Sequence, residues 1–239
     1  MDAQPSPSAR IFLALDTPDR SAAERLMQLL SPYVGGFKIG KTLFTAAGPP
    51  VVAAALATGA RVFLDLKFHD IPHTVAGAVA AAAALGVHLC TVHTLGGSAM
   101  LRAAQKSLAT WPTAMQPVLL GVTLLTSADQ TTLNEIGLQG TPEEAVRRLT
   151  KLAVTCGLGG VVCSPQEIAA VRRLAPADFL VVTPGIRFGD AVPDDQRRTL
   201  TPREALAAGA DYLVVGRPIT AAPDPVAAVQ RLVSELSTS

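Results

Sequence analysis

A single (β/α)8 barrel, the TIM-barrel class of α/β fold, is the architecture this sequence predicts, and three observations predict it. Eight short apolar runs alternate with longer, alanine-rich amphipathic segments from end to end. No Pro/Gly/Ser-rich linker divides the chain into halves. Its 239 residues are close to the usual size of such a barrel. Residues 10–239 therefore read as one barrel domain, preceded by a disordered or extended tail over 1–9. A doubly wound open sheet would show the same alternation, but no G-x-G-x-x-G follows the first strand.

In chain order, strands are expected at 11–15, 36–39, 62–66, 89–93, 118–123, 160–163, 180–183 and 212–215. Helical patterns lie between and after them at 20–30, 42–58, 74–85, 98–109, 142–156, 165–174, 202–208 and 224–236. Several helices carry start signals. Ser164-Pro165 and Thr201-Pro202 set a capping hydroxyl before a proline at the first helical position, and Thr141-Pro142-Glu143-Glu144 adds acids in the first turn. Gly59, Gly86, Gly157 and Gly209 stand where helix C-terminal stops belong.

Composition narrows the function classes. Net charge is +1, with no basic run and no acidic tail, which argues against a nucleic-acid or membrane-surface role. Aromatics are 4% of the chain, too few for base-stacking platforms. Cys90, Cys156 and Cys163 are odd in number and lack C-x-x-C spacing, so reduced thiols in a cytoplasmic protein are expected. The first residues show neither a charged n-region nor an apolar h-region, and no signal peptide is read there. From 71 to 101 there is no Asp, Glu, Lys or Arg, long enough to cross a bilayer. The stretch contains Pro72, three histidines and several glycines, and two buried elements of a soluble domain fit it better. Arginine outnumbers lysine fifteen to five, which draws attention to Lys38 and Lys67 at strand ends.

The most informative segment is Phe63-Leu64-Asp65-Leu66-Lys67-Phe68-His69-Asp70-Ile71-Pro72. On a strand, residues i and i+2 share a face, so Asp65 and Lys67 are expected to point the same way, at or just past the strand's end. Asp70 follows where Pro72 forbids a continuing central strand. A lysine held between two carboxylates keeps its proton at neutral pH, which makes it a poor Schiff-base nucleophile and a good proton donor. The plainer alternative is a surface ion pair on a βα loop. What favours the functional reading is the company: Asp16, Lys38, Asp65 with Lys67, His93, Thr123 through Ser127, Pro184-Gly185-Ile186-Arg187 and Gly216-Arg217 all fall at strand C-termini, the active face of a barrel.

Val214-Val215-Gly216-Arg217-Pro218-Ile219-Thr220 closes the eighth strand with a glycine and an arginine, as a barrel phosphate corner does. Arg217 can offer two parallel donors to phosphate oxygens; a structural salt bridge is the competing role. The polar stretch from Arg187 to Arg198, which includes Gln196, reads either as a lid over that phosphate or as a disordered connector.

Taken together these residues resemble the orotidine 5′-phosphate decarboxylase family. The resemblance rests on Ala14-Leu15-Asp16, Phe37-Lys38-Ile39-Gly40-Lys41, the Asp65-Leu66-Lys67-Phe68-His69-Asp70-Ile71-Pro72 segment, Val92-His93, Leu125-Thr126-Ser127, Val182-Thr183-Pro184-Gly185-Ile186-Arg187, Asp195-Gln196-Arg197-Arg198 and Val215-Gly216-Arg217-Pro218-Ile219. It implies a homodimer that converts orotidine 5′-phosphate (OMP) to UMP with no cofactor and no metal. By position, Lys67 would protonate pyrimidine C6, and Asp65 would sit by the departing carboxylate. Asp70, Ile71 and Thr74 would reach the site from the neighbouring subunit. Asp16 and Lys38 would hold ribose hydroxyls, with Lys38 in the charged network. Thr126 would contact the pyrimidine beside Pro184, while Arg187, Gln196, Gly216 and Arg217 would hold the phosphate. The chain departs from the family at His73, often Asn there, and at Thr94-Leu95, in place of a small Ala-Ser pair. Alternatives on the same barrel are a Mg-dependent keto-sugar-phosphate decarboxylase or aldolase, which needs a further acidic ligand that no strand-end Glu supplies, a Schiff-base aldolase, which needs a neutral lysine, and a non-catalytic nucleotide-binding relative.

Overall fold

The computed structural model describes residues 6–186 and 200–237. Eight parallel strands close into a barrel in sequence order: β1 Ile11–Leu15, β2 Gly36–Gly40, β3 Arg61–Phe68, β4 Leu89–His93, β5 Val118–Val122, β6 Gly160–Val162, β7 Leu180–Thr183 and β8 Tyr212–Val215. The first and last strands pair directly, Phe12 opposite Val214, so the barrel has no sheet edge. The helices are α1 Arg20–Leu30, α2 Lys41–Ala47, α3 Pro50–Ala57, α4 Pro72–Ala84, α5 Gly97–Lys106, α6 Gln130–Glu135, α7 Pro142–Thr155, α8 Ile168–Arg172, α9 Pro202–Ala207, α10 Arg217–Thr220 and α11 Pro225–Ser237. All eight expected strands are present.

Three boundaries differ from the sequence reading for physical reasons. The helix expected over 42–58 is two helices, because Gly48 (φ 63°) stops the first and Pro49-Pro50 restarts the second. β3 extends to Phe68, so Asp65 and Lys67 lie within the strand. Short α6 and α10 follow β5 and β8 at the mouth, too brief to leave an amphipathic signature. Two of the three expected caps are in place: Thr141 and Thr201 accept from the backbone N–H of Glu144 and Glu204 in reciprocal capping boxes, whereas the Ser164 hydroxyl is buried without a partner among the described residues and only its backbone N–H is met, by Glu167. Gly59, Gly86, Gly157 and Gly209 all have positive φ. Ser8–Arg10 form a turn of 3-10 helix, which places residues 8 and 9 of the expected tail against the barrel.

Strand alternation sorts the core into two layers. Ile11, Leu13, Phe37, Ile39, Val62 and Leu64 face outward against the helices. Phe12, Ala14, Phe63, Leu120, Val122, Val162, Val182 and Val214 fill the interior. Below them Arg61 plugs the floor. Its guanidinium lies 5.2 Å from the Phe12 ring centre and 4.8 Å from that of Tyr212. It donates to the Tyr212 hydroxyl and to the Gly35 and Ala9 carbonyls. Gly36 makes room for this packing, since a Cβ there would stand 2.5 Å from both Phe12 Cε1 and the Arg61 carbonyl. A cavity lies at the other end of the barrel, at the strand C-termini.

The charge-free stretch from 71 to 101 divides into α4, β4 and the start of α5. Among the described residues no helix is long and apolar enough to cross a membrane. Cys90, Cys156 and Cys163 are buried, and none is in a disulfide. Thr94, one of the departures from the family pattern, is buried; its hydroxyl donates to the Val122 carbonyl at 2.7 Å, and its methyl covers the bare face of Gly121.

Candidate active site

The mouth opens into a cavity of about 570 Å³ lined by Asp16, Lys38, Asp65, Lys67, Thr126, Ser127, Pro184, Gly185, Gly216 and Arg217 among others. These come from the ends of β1, β2, β3, β5, β7 and β8. Four of them form a line of alternating charge. Asp16 Oδ1 accepts from Lys38 Nζ at 2.8 Å, Lys38 Nζ lies 4.0 Å from Asp65 Oδ2, and the same oxygen accepts from Lys67 Nζ at 2.6 Å. Lys38 and Asp65 are only 8% and 7% exposed. Charges so far from water persist when each has an opposite partner. Gly40 keeps the space clear, since a Cβ there would come within 3.1 Å of both Asp16 Oδ1 and Lys38 Nζ.

Within this chain the lysine lying between two carboxylates is Lys38, flanked by Asp16 and Asp65. Lys67 contacts Asp65 alone among the described ion pairs. Asp70 is exposed, and its carboxylate accepts the N–H of Ile71 at 2.6 Å. Ile71 is 66% exposed and Thr74 is exposed too, so Asp70, Ile71 and Thr74 form a surface set outside this cavity.

Lys67 is aimed by unusual backbone. It is the one non-glycine residue with positive φ among those described, at 52°, a conformation that costs a non-glycine residue roughly 1–3 kcal/mol. The pairing of β3 with β4 jumps from Leu64↔Cys90 to Phe68↔Val92, so Asp65, Leu66 and Lys67 bulge opposite Thr91. Thr91, fully buried, was not singled out from sequence. Its Oγ1 accepts the Lys67 backbone N–H at 2.9 Å and donates to Asp65 Oδ1 at 3.0 Å. The sequence signal was slight, a threonine inside an apolar strand.

Two neighbours are held neutral. Burial, followed by the charge of nearby Asp65, pushes the Cys90 thiol up to about 12, leaving it inert. Burial, then His69, Lys67 and Lys41, pulls His93 down to about 4. His93 stacks on His69 with ring centres 5.3 Å apart, beside the cavity rather than lining it.

Gly185 (φ 79°) after β7 and Gly216 with Arg217 after β8 also line the cavity, and Gly216 sits beside the β1 end, where a Cβ on it would stand 3.9 Å from Asp16 Oδ2. Thr126 and Pro184 line the same cavity. Arg187 and Gln196 lie outside the described residues, as does the stretch read as a lid or connector. Ile186 and Leu200, which flank it, pair in a parallel bridge. Among the described residues no group of three or more His, Cys, Asp or Glu gathers as a metal site would require.

Such an arrangement defines a class: a (β/α)8 barrel whose mouth is lined both by a paired ammonium and by a glycine–arginine corner. Sequence comparison gives the particular family. The model of the orotidine 5′-phosphate decarboxylase / HUMPS family matches residues 9–232, and the chain belongs to that family. A curated relative named orotidine 5′-phosphate decarboxylase from Nitrosococcus oceani is 54% identical over 229 residues, covering 96% of this chain and 98% of the relative. One of the same name from Moorella thermoacetica is 51% identical, over 95% and 92% respectively. The solved structure of orotidine 5′-phosphate decarboxylase from Lactobacillus acidophilus superposes with a TM-score of 0.81 at 39% identity, covering 95% of this chain and 99% of that one.

Proposed function

We propose that this chain decarboxylates OMP to UMP in pyrimidine biosynthesis, without a cofactor, and that Lys67 is the proton donor. The observation that carries the reading is the line Asp16–Lys38–Asp65–Lys67 at the cavity wall, ending in the 2.6 Å contact between Asp65 Oδ2 and Lys67 Nζ. In the reaction the C6–carboxylate bond breaks, CO2 leaves, and the electron pair stays on C6. The ring offers that pair no adjacent π system, so stabilisation has to come from fixed charge. An ammonium aimed in advance and shielded from water meets that need. Its proton passes to C6, giving UMP and a neutral amine that solvent reprotonates.

The remaining roles follow the family resemblance. Asp16 and Lys38 hold ribose hydroxyls, and Thr126 and Pro184 meet the pyrimidine. Gly216 and Arg217 bind the phosphate, joined by Arg187 and Gln196. Phosphate binding far from C6 contributes to ordering the site about the reacting carbon. The working unit is a cytoplasmic homodimer whose catalytic domain spans 10–239, with Asp70, Ile71 and Thr74 completing the partner's site; their exposure in a single protomer supports this.

The test is loss of OMP absorbance by wild type and Lys67→Ala, with and without EDTA. Wild type should turn over OMP at an EDTA-insensitive rate. The variant should lose roughly 10²–10⁴-fold or more in kcat, as removal of a general acid does, and still bind UMP. A chelator-sensitive rate, or Lys67→Ala with more than about a tenth of wild-type kcat, would overturn the reading.

A further inference from the structure

Asp65 serves two ammonium groups with one oxygen. Its Oδ2 lies 2.6 Å from Lys67 Nζ and 4.0 Å from Lys38 Nζ. Something must keep that oxygen, and not its twin, turned toward them. The twin, Oδ1, accepts from Thr91 Oγ1 at 3.0 Å. The same hydroxyl oxygen accepts the Lys67 backbone N–H at 2.9 Å. A hydroxyl has one proton. With its oxygen taking the Lys67 N–H, that proton goes to Asp65 Oδ1, and the chain N–H → Oγ1–H → carboxylate has a fixed direction.

Thr91 stands on β4 opposite the bulge of Asp65, Leu66 and Lys67. It therefore ties together the two features that aim Lys67: its left-handed backbone at φ 52° and the rotation of its carboxylate partner. Thr91 is fully buried, so water cannot take over either bond. Its branched side chain restricts the rotamer and holds the hydroxyl in place.

We infer that Thr91 is a positioning residue for the proposed decarboxylation, acting through both the Asp65 carboxylate and the Lys67 backbone to aim the Lys67 ammonium. It rests on the reading of Lys67 as proton donor. Thr91 is not among the residues that line the cavity, so its loss is expected to fall on turnover and spare binding.

The experiment compares full-length wild type, Thr91→Val, Thr91→Ser and Lys67→Ala, reading kcat and KM for OMP, UMP affinity and melting temperature. Valine keeps the shape and removes the hydroxyl; serine keeps the hydroxyl. Thr91→Val should lose about 10- to 100-fold in kcat, the range for groups that orient a reacting group from behind, with KM and UMP affinity within about threefold. Thr91→Ser should recover at least about half of wild-type kcat. If Thr91→Val does not stay folded, Thr91→Ala takes its place with the same readouts. Wild-type kcat in Thr91→Val, a loss that appears only in KM, or an equal fall in Thr91→Ser would overturn the inference. Unfolding of both valine and alanine variants beside an intact serine variant would overturn it too, by assigning the hydroxyl to folding. Wild type that leaves OMP untouched, or active Lys67→Ala, would instead sink the underlying reading, and the same series separates the two failures.

Discussion

Acid should weaken this fold through a histidine that lies beside the cavity and does not line it. His93 ends β4 with Nδ1 buried and without a hydrogen-bond partner among the described residues. Burial lowers its pKa to about 4, helped by His69, Lys67 and Lys41. An unfolded histidine titrates near 6.5. Between these values the unfolded chain binds a proton that the folded chain refuses, so stability falls as pH drops from about 6.5 toward 4 and levels off below. The full gap of about 2.5 units at 1.36 kcal/mol each would be worth ~3.4 kcal/mol, an upper bound for a partly exposed ring. From pH 7 to pH 5 the undiscounted loss from this one group would be about 2 kcal/mol; with solvent screening of a partly exposed ring about 1 kcal/mol is expected, or roughly 2–4 °C in melting temperature for a chain of this size. His88 adds a change of the same sign. Its pKa is lowered by burial and then by Arg61, and its Nδ1 accepts the Val62 N–H at 3.1 Å, a bond that protonation would break. The assay is urea or thermal unfolding at pH 7, 6 and 5 for wild type and His93→Phe, which keeps a ring against His69 but cannot titrate. The variant should lose markedly less stability over that interval. Identical pH slopes for the two proteins would refute the assignment to His93.

Three further outcomes test other parts of the molecule. Gly36→Ala drives a methyl to 2.5 Å from the Phe12 ring and the Arg61 carbonyl; the expected cost is about 1–3 kcal/mol, visible as a lower melting temperature, and an unchanged one would mean the barrel floor is looser than described. Arg217→Ala should lower kcat/KM for OMP by roughly 100-fold, about the loss of one charged hydrogen-bond pair, while sparing the unphosphorylated nucleoside; equal losses on both would remove Arg217 from the phosphate. Mixing inactive Lys67→Ala with inactive Asp70→Asn, after subunit exchange, should restore about a quarter of wild-type activity if Asp70 acts across a two-fold interface. No recovery in a mixture shown to contain hybrid dimers would place Asp70 in its own subunit's site.

Much of the fold was legible because apolar runs, caps and stops all pointed one way. The segment Thr141-Pro142-Glu143-Glu144 predicted a helix start, and the structure closes a capping box there. Gly59 and Gly86 predicted stops, and both have left-handed φ. Contacts between distant strands were not legible. Nothing in the order of residues says that Arg61 lies over Phe12 and Tyr212, or that Asp16 meets Lys38. Strand alternation gives the face on which a side chain lies, while barrel closure and stagger decide which residues share a level. Thr91 escaped for the same reason: its role depends on what stands opposite, not on what stands beside it in sequence.

The pairing of Asp65 with Lys67 shows how a correct contact can rest on a different cause from the one alternation supplies. A regular strand carries residues two apart on one face with side chains roughly parallel, which alone does not bring a lysine ammonium back onto the carboxylate. β3 is not regular at that point. The step from Leu64↔Cys90 to Phe68↔Val92 sets three residues against one, and Lys67 takes φ 52°. That kink accompanies the 2.6 Å contact, at a position where glycine would be the easy choice. Glycine there would relieve the backbone and delete the ammonium. The chain instead keeps a lysine in a strained conformation, with Thr91 and Asp65 bonded to its two ends. Strain retained at a charged residue in a cavity wall is the pattern expected of a site selected for aim rather than for stability.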